Sequence, residues 1–326
     1  MSTKDLVLKS LRNAGGSFVS GETLSGDLHV SRTAIWKAIR ALREEGYIIK
    51  AVTNRGYRLI EGGDTIAAGN IRDFLPSEYK SIDIEVYDIL DSTNLKARQL
   101  SDDGASHGTV VIALQQTAGR GRLGRDFFSP REGLYLSIII KPSFALDRAA
   151  AVTTAAAVAV AEAVEKVCGK QAGIKWVNDI YCDGKKICGI LTEGITNFET
   201  GRVETMIIGI GVNTTVKDFP EELLDIAGAV EGNYSKAQLA AEIIAGTLRF
   251  IGDQENSTFI DSYKQRSIVL GRDITVYKGR YLTSPEKDLS GIPAKALDID
   301  NAGRLIVQYE NGTRETLSSG EISIRL

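Results

Sequence analysis

The amino-acid sequence predicts an α+β protein built from three successive parts, and three observations lead to this prediction. Residues 1–63 combine helical periodicity with two short β-like runs. Residues 64–269 alternate β-like runs with helices, and residues 270–326 have a purely β pattern with turn signals between the runs. We therefore expect one domain for each of these three ranges.

Composition narrows the class of protein. With 326 residues, of which 43% are hydrophobic, the chain can form several cores. No run approaches the roughly 20 apolar residues of a membrane span, and the N-terminal residues lack the apolar segment of a signal peptide. The three cysteines form no CxxC pair and only two histidines are present, so we expect reduced thiols, a cytoplasmic protein and no resident metal.

The charge is distributed unevenly along the chain. Residues 1–62 carry ten Lys or Arg and six Asp or Glu, a net charge of +4, whereas the whole chain has a net charge of −3. The remaining residues therefore sum to −7. A basic head on an acidic body predicts that only the head contacts a polyanion.

The basic head has the pattern of a helix-turn-helix followed by a wing. The predicted elements are helices over Lys4–Arg12, Ser20–Leu28 and Arg32–Glu45, then strands over Tyr47–Val52 and Gly56–Ile60. Ser20 and Ser31 are expected to cap the second and third helices, because a serine hydroxyl accepts a hydrogen bond from the first helical turn. Gly46 is expected to end the third helix.

The third predicted helix has two distinct faces. Its apolar residues repeat at helical spacing and are expected in the core: Ile35, Ala38, Ile39 and Leu42. We expect the ring of Trp36 to be buried in the core as well. The opposite face and the wing are expected to contact DNA bases or phosphates through Arg32, Thr33, Lys37 and Arg55. Such a helix enters the major groove in a winged helix-turn-helix; the alternative is a protein-interaction module with a solvated basic face.

The rest of the chain follows a predicted linker over Glu61–Thr65. The central elements are a strand over Ile82–Ile89, a helix over Leu95–Leu100 capped by Asp91–Asn94, an alanine-rich packing helix over Asp147–Val167, a β-rich run over Met206–Val212, and helices over Lys236–Gln254 and Thr258–Ser267. The C-terminal β runs are Ile274–Tyr277, Ile292–Asp300, Arg304–Tyr309, Arg314–Leu317 and Glu321–Arg325. We expect these last runs to form a small β barrel.

The most informative stretch is an arginine-rich loop, defined as Gln115–Arg125, which directly follows an apolar run over Thr109–Leu114. Its glycines match the spacing GxGxxG, but a dinucleotide-binding fold requires a helix next. The following residues contain Pro130 and Gly133 and have no helical period, which excludes that fold. Because arginine forks bind carboxylate and phosphate oxygens, we interpret the loop as an anion clamp. The alternative is a solvated basic turn.

Four further motifs lie in the central part, at Ser92–Asn94, Lys175–Asp179, Gly184–Glu193 and Gly209–Asn213. Together with the arginine-rich loop they resemble the motifs of the biotin protein ligases. The order winged helix, catalytic domain and small β barrel is similar to that of the bifunctional members, which also repress biotin genes. The resemblance extends from residue 4 to residue 325. It implies a central mixed α/β domain of the class II synthetase-like type and an SH3-like barrel at the C-terminus.

The resemblance also implies which residues form the site. The residues that correspond to those holding the ureido end of biotin are Ser92, Thr93, Asn94 and Gln116. Those that correspond to the loop ordered over the biotin carboxylate and the adenylate phosphate are Arg120, Gly121 and Arg122. Lys186 matches the active-site lysine. Positions near the nucleotide are Lys175, Asn178 and Asn213.

Two positions depart from the pattern of the family. Val177 stands where proline is usual, and Phe127 stands where a tryptophan commonly packs on the adenine. A phenyl ring can still stack on the base, with less contact area. The alternative for Ser92 and Thr93 is a helix cap without a ligand, and Lys185 is interpreted as a solvated turn residue.

The implied chemistry has two steps. The biotin carboxylate, already ionised at neutral pH because carboxylic acids titrate at roughly 4 to 5, attacks ATP and forms biotinyl-5'-AMP. Arg120, Arg122, Lys186 and a Mg²⁺ would neutralise the approaching anions. A lysine of a biotin carboxyl carrier protein then attacks the adenylate, with Asp179 as the candidate base or orienting group. The ligands of the Mg²⁺ are not indicated by the sequence.

The implied regulation joins the two functions. Biotinyl-5'-AMP, as co-repressor, would order the arginine-rich loop and favour a homodimer whose two heads span a palindromic operator. Two rival functions remain: a ligand-sensing repressor without ligase activity, and a lipoate or octanoate ligase with a DNA-binding head. A ligase that no longer binds an operator is a further variant.

Overall fold

The computed structural model describes residues 2–60, 65–142, 149–196, 203–252, 258–277, 291–318 and 321–323. The chain divides into two compact units, residues 1–80 with 233–241 and residues 81–232 with 242–326. Most of the predicted linker, residues 61–64, lies outside the described residues. The three predicted domain ranges stay predictions.

The first unit contains the predicted helix-turn-helix and wing. Its elements over residues 2–60 are α1 (Thr3–Asn13), α2 (Gly21–Leu28), α3 (Arg32–Glu44), β1 (Ile49–Val52) and β2 (Gly56–Leu59). Both predicted caps are confirmed, because the hydroxyl of Ser20 accepts from the Thr23 amide at 2.9 Å and that of Ser31 from the Ala34 amide at 3.1 Å. Strands β1 and β2 pair antiparallel as a hairpin.

The α3 helix buries one face in the core of the first unit. Its buried residues are Ile35, Ala38, Ile39 and Leu42, as predicted. The prediction that Trp36 is buried is wrong, because 53% of this residue is exposed. In a helix, residue 36 shares a face with residues 32, 33 and 40, which is the solvent side of α3. The guanidinium of Arg40 lies 5.9 Å from the centroid of the Trp36 ring.

The first unit extends past the predicted head through α4 (Ala68–Phe74). Gly69 lies so close to Tyr47 that a Cβ atom there would come within 2.7 Å of the ring. The Tyr47 hydroxyl donates to Asp73 at 2.8 Å, and Arg72 donates to the carbonyl of Glu45 at 2.7 Å. These contacts dock α4 on the end of α3.

The described part of the second unit contains a mixed seven-stranded sheet. Its strands are β3 (Ile84–Tyr87), β4 (Val110–Ala113), β5 (Leu134–Ile140), β6 (Gly173–Lys175), β7 (Asp179–Cys182), β8 (Lys185–Thr196) and β9 (Val203–Val212). They lie in the order β3-β4-β5-β9-β8-β7-β6. Strands β3 and β4 are parallel, and every other neighbouring pair is antiparallel. Every residue of β4 and β5 is buried, which agrees with the largely apolar sequences of these two strands.

The remaining helices are α5 (Thr93–Asp102), α6 (Ala149–Ala163, continued by a π-helical turn over Val164–Cys168), α7 (Lys236–Gly252) and α8 (Phe259–Arg266). Helices α5 and α6 pack against the seven-stranded sheet. Residues 236–241 of α7 belong to the first unit and its other residues to the second. The predicted residues 147–148 and 253–254 lie outside the described part of the chain. Helix α5 packs through Ala97 on Val111, Ile139 and Ile207, which share one face of the sheet.

The C-terminal residues form a small antiparallel sheet. Its described strands are β10 (Asp273–Tyr277), β11 (Ile292–Ile299), β12 (Leu305–Tyr309), β13 (Arg314–Leu317) and β14 (Glu321–Ser323), in the order β13-β12-β11-β10-β14. The end of the last predicted strand, residues 324–325, lies outside the described residues. Closure of this sheet into a barrel stays a prediction. The indole N–H of Trp176 donates to the carbonyl of Gly303 at 3.0 Å, which ties this sheet to the β6–β7 connection.

Candidate functional site

A cavity of about 470 Å³ lies over the centre of the seven-stranded sheet. Its floor is made of glycines, since Gly189 of β8 and Gly211 of β9 are cross-strand partners and Gly209 is the partner of Leu191. A Cβ atom at Gly211 would lie 2.5 Å from the Phe127 ring, and one at Gly209 would lie 2.2 Å from Oδ1 of Asn94. The glycines therefore let other groups approach the sheet closely.

One end of the cavity is a hydrogen-bonded cluster at the start of α5. The side-chain oxygen of Gln116 accepts from the Thr93 amide at 2.8 Å and from the Thr93 hydroxyl at 3.1 Å. The Gln116 amide group donates to the hydroxyl of Ser129 at 2.9 Å. These bonds fix which end of the Gln116 amide faces which neighbour.

Ser137 and Glu193 complete this cluster. The sequence did not indicate Ser137, and it included Glu193 only as the end of the motif Gly184–Glu193, without a role. The Ser137 hydroxyl lies 2.8 Å from that of Thr93 and 2.7 Å from Oδ1 of Asn94. The Asn94 amide group donates to Glu193 at 2.6 Å. Ser137 lies within an otherwise apolar run in β5. Because a buried hydroxyl requires a hydrogen-bond partner, this serine could have indicated a polar site.

Ser92 occupies the N-cap position of α5, but its side chain makes no capping hydrogen bond. The residue is buried and lines the cavity. The alternative in which Ser92 acts only as a helix cap is therefore contradicted.

Lys186 and Asp179 form an ion pair in the cavity, with 2.6 Å between Nζ and Oδ1. A β-bulge between β7 and β8 skips Ile187, so that Lys186 faces Tyr181 while Cys188 faces Ile180. The bulge puts Lys186 on the same face as Gly189, where its Nζ would lie 3.4 Å from an added Cβ. Burial and the Asp179 charge raise the pKa of Tyr181 to about 12, so this phenol stays protonated.

The neighbouring lysine has a different environment. Nζ of Lys185 donates to the carbonyl of Leu224 at 2.5 Å, and the residue does not line the cavity. The chain after β9 returns beside this position, where Lys186 donates its amide to Ile226 and accepts from the amide of Gly228, both at 2.9 Å. The amide and the carbonyl of Lys186 are therefore both bound by this returning segment.

The arginine-rich loop crosses the cavity. A guanidinium nitrogen of Arg122 donates to Asn178 at 3.1 Å, and the Asn178 amide group donates to the carbonyl of Ile190 at 2.8 Å. The amide of Gly121 donates to the carbonyl of Arg125 at 2.7 Å, which closes a tight turn. The predicted loop residues Arg120, Gly121 and Arg122 all line the cavity.

The other end of the cavity contains an aromatic ring, that of Phe127. The Phe127 ring lies over Gly211 and Gly189, and it meets the Tyr135 ring edge-on with 6.4 Å between centroids. The Asn213 amide group donates to the carbonyl of Gly228 at 3.1 Å, whereas its Oδ1 is buried without a partner among the described residues. An unpaired buried acceptor is a suitable partner for an N–H donor of a ligand. Lys175 lines the same cavity.

Two other kinds of chemistry receive no support from this site. Cys188 lines the cavity, but its complete burial raises the pKa of the thiol well above the usual range, which disfavours a thiolate nucleophile. Across the described ranges, no group of three or more His, Cys, Asp or Glu side chains is placed to hold a metal ion.

Nor is any described helix both long enough and apolar enough to cross a membrane.

The structure thus brings all the predicted biotin, nucleotide and catalytic residues to one cavity: Ser92, Thr93, Asn94, Gln116, Arg120, Gly121, Arg122, Phe127, Lys175, Asn178, Asp179, Lys186 and Asn213. Their individual roles stay predictions. The four predicted DNA contacts lie elsewhere, in the first unit. Arg32, Thr33 and Lys37 are exposed on α3, and Arg32 pairs with Glu22 at 2.9 Å. Arg55 lies over the Phe18 ring at 4.4 Å.

Three family descriptions match successive parts of the chain. Residues 4–58 match an HTH domain, residues 86–213 the Biotin/lipoate A/B protein ligase family, and residues 291–325 the Biotin protein ligase C terminal domain. The order of these matches agrees with the order of the three parts predicted from the sequence.

Similar proteins extend over nearly the whole chain. It is 35% identical over 320 residues to the Bifunctional ligase/repressor BirA of Bacillus spizizenii, covering 97% of each chain. It is 42% identical over 253 residues to the protein of that name from Bacillus subtilis, covering 76% of this chain and 75% of the relative. Among solved structures, the biotin protein ligase of Aquifex aeolicus in complex with biotin and ATP is 25% identical, with a TM-score of 0.61, covering 74% of this chain and 98% of that one.

Proposed function

Because the chain belongs to the family of bifunctional biotin ligase/repressors, we propose that it joins biotin to ATP, transfers the biotinyl group to a lysine of an acceptor protein, and represses biotin genes. The observation that carries the proposal is the single cavity that combines an amide-and-hydroxyl cluster, two arginines and the Lys186–Asp179 pair. A neutral polar ring system, a carboxylate and a phosphate each find matching groups there.

Biotin fits the end of the cavity beside α5. The ureido group of biotin has two N–H donors and one carbonyl acceptor, so it requires both kinds of partner. Asn94, Thr93 and Gln116 offer amide and hydroxyl groups, which their hydrogen bonds to Ser137, Glu193 and Ser129 hold in place. The valerate carboxylate would then extend toward Arg120, Arg122 and Lys186.

The first step joins two anions. A carboxylate oxygen of biotin attacks the α-phosphorus of ATP, the bond to the β-phosphate oxygen breaks, and pyrophosphate leaves. Arg120, Arg122 and Lys186 would stabilise the charge that gathers at the transition state, and a Mg²⁺ would accompany the phosphates. Phe127 and Asn213 would hold the adenine over the glycine floor, with Lys175 and Asn178 near the phosphates and ribose.

The second step transfers the biotinyl group. A lysine amine of the acceptor attacks the carbonyl carbon of biotinyl-5'-AMP, an amide bond forms, and AMP leaves. The amine has to lose a proton, since lysine titrates near pKa 10.4 in water. Asp179 lies 2.6 Å from Lys186 and would orient the incoming ammonium group and accept that proton. We take the acceptor to be a biotin carboxyl carrier protein.

The first unit supplies the second function. Its α3 presents Arg32, Thr33 and Lys37 to solvent, and Arg55 lies in the wing. We infer that these residues bind operator DNA, that biotinyl-5'-AMP is the co-repressor, and that the bound form is a cytoplasmic homodimer that spans two half-sites.

The experiment that tests the ligase proposal compares three acids. The purified chain is incubated with ATP, Mg²⁺ and either biotin, lipoate or octanoate, and pyrophosphate release is measured. We expect release with biotin only, followed by biotin transfer when a biotin carboxyl carrier domain is added. Release with lipoate or octanoate alone would assign the chain to an acyl ligase of another specificity. Biotin binding without pyrophosphate would leave the ligand-sensing repressor.

A further inference from the structure

Trp36 is an exposed aromatic residue on the basic face of α3. It is 53% exposed, whereas the residue before it, Ile35, is 1% exposed. Burying an indole ring removes a large apolar area from water, so Trp36 would strengthen the binding of a partner that covers it. The DNA-binding prediction from sequence did not include this residue.

The ring of Trp36 contacts one charged neighbour on its own helix. Arg40 lies one turn along α3 with its guanidinium 5.9 Å from the ring centroid, a cation–π distance. Nε of Arg40 in turn donates to Glu44 at 2.8 Å. The ring therefore has a cationic neighbour on its own helix and stays accessible to a partner.

The charge around Trp36 identifies the class of partner. Its neighbours on the solvent face of α3 include Arg32, Lys37 and Arg40, and residues 1–62 carry a net charge of +4. The partner is therefore a polyanion with an apolar group on the surface that it presents. Among the groups exposed in the major groove of DNA, the C5-methyl of thymine is the apolar one.

We propose that Trp36 reads thymine in the major groove by packing its ring on the C5-methyl group. Trp36 is the fifth residue of α3, counted from Arg32, and the first turns of a recognition helix lie closest to the bases. Arg32 and Lys37 then position the helix at phosphates, which carry no sequence information. This inference rests on the proposed DNA binding and adds a base preference to it.

The test is selection of DNA sequences from a random duplex library in the presence of biotin, ATP and Mg²⁺. Wild type, Trp36→Ala, Trp36→Phe and Phe74→Ala are compared; Phe74 is 45% exposed on α4 and serves as the matched control. Wild type is expected to enrich a thymine at one fixed position of each half-site. Trp36→Ala is expected to bind the enriched duplex on the order of tenfold more weakly and to lose that preference. Trp36→Phe is expected to keep part of it, and Phe74→Ala all of it.

A second duplex isolates the methyl group. Replacing the enriched thymine by deoxyuridine removes one methyl and should weaken wild-type binding about fourfold while leaving Trp36→Ala unaffected. The inference is overturned if Trp36→Ala enriches the wild-type sequence with the same thymine preference, a result that leaves DNA binding intact. If wild type enriches no sequence, the DNA-binding part of the proposed function fails, and this inference fails with it. Circular dichroism confirms that the variants remain helical.

Discussion

The cavity of the second unit and the basic face of the first unit differ in how their side chains are held before any ligand binds. In the cavity, Thr93, Asn94 and Asn178 each make hydrogen bonds of 3.1 Å or less to other protein groups. On α3, the Arg32–Glu22 pair is open to water, with side chains 69% and 82% exposed.

This difference has an energetic consequence. Removing one member of a buried network leaves its partners unpaired, which costs about 1–3 kcal/mol for each unsatisfied group. An exposed ion pair contributes about 1 kcal/mol or less. Single substitutions in the cavity should therefore change ligand affinity or reaction rate strongly. Single substitutions on the basic face should each change DNA affinity slightly, by an amount that depends on the salt concentration.

The largest effect is expected at Lys186. Lys186→Ala should slow formation of biotinyl-5'-AMP by on the order of 10²–10³-fold, because a positive charge near the reacting phosphate is lost and Asp179 is left without its partner. The measurement is single-turnover release of pyrophosphate. Lys185→Ala is the matched control and should react like wild type, since Lys185 binds a backbone carbonyl and does not line the cavity. A rate for Lys186→Ala within about tenfold of wild type would contradict the assignment.

The next effect tests whether the biotin end of the cavity is rigid. In Gly209→Ala the added Cβ atom would lie 2.2 Å from Oδ1 of Asn94, whose amide is fixed by Ser137 and Glu193. We expect biotin affinity to fall by on the order of 100-fold in calorimetry. Gly194→Ala, where the nearest atom to the new Cβ is 3.7 Å away, should bind biotin normally. If Gly209→Ala binds biotin normally, the side chains of this cluster can move aside at little cost. The cavity would then be no more rigid than the exposed face of α3.

Ser137→Ala tests whether a residue outside direct contact with biotin positions the residues that bind it. It removes the hydroxyl that lies within hydrogen-bond distance of both Thr93 and Asn94, so the KM for biotin should rise on the order of tenfold while kcat changes little. Thr154→Val deletes another buried hydroxyl, on α6 and away from the cavity, and is the control. Equal effects of the two variants on the KM for biotin would show a general loss of stability instead of a positioning role.

The smallest effect is expected on the basic face. Arg32→Ala should weaken binding to the selected DNA duplex and should reduce the slope of log affinity against log salt by about 1, since one phosphate contact is lost. Adenylation of biotin by the same variant should be unchanged. An unchanged salt slope would remove Arg32 from the DNA contacts, and a parallel loss of adenylation would contradict the separation of the two regions.

The helix-turn-helix and wing of the first unit could be predicted closely from the sequence because local rules determine them, whereas α4 was not predicted. Serine caps and a 3.6-residue period gave the start and the buried face of α3. The prediction for Trp36 was wrong because the apolar character of tryptophan was given more weight than its position on the helix. The period that buries Ile35 and Ile39 also places residue 36 toward solvent, beside Arg40.

The cavity was predicted in a different way. The resemblance to a family gave the residues that line it, but not the partners that hold them. Ser137 lies 43 residues along the chain from Asn94, and a contact over that separation follows from strand order, which periodicity does not determine. The bulge at Ile187, which turns Lys186 toward Asp179, and the pairing of Gly189 with Gly211 likewise depend on the register of β8. No local pattern reports that register.

The experiment that tests biotin activation in this cavity most directly is one turnover of biotin and ATP on the unmodified chain, with the protein-bound product identified by mass spectrometry after gel filtration. We expect biotinyl-5'-AMP to remain bound, in an amount equal to the pyrophosphate released, because the arginine-rich loop and the glycine-floored cavity would enclose it. Recovery of unchanged biotin and intact ATP would contradict the claim that this cavity activates biotin.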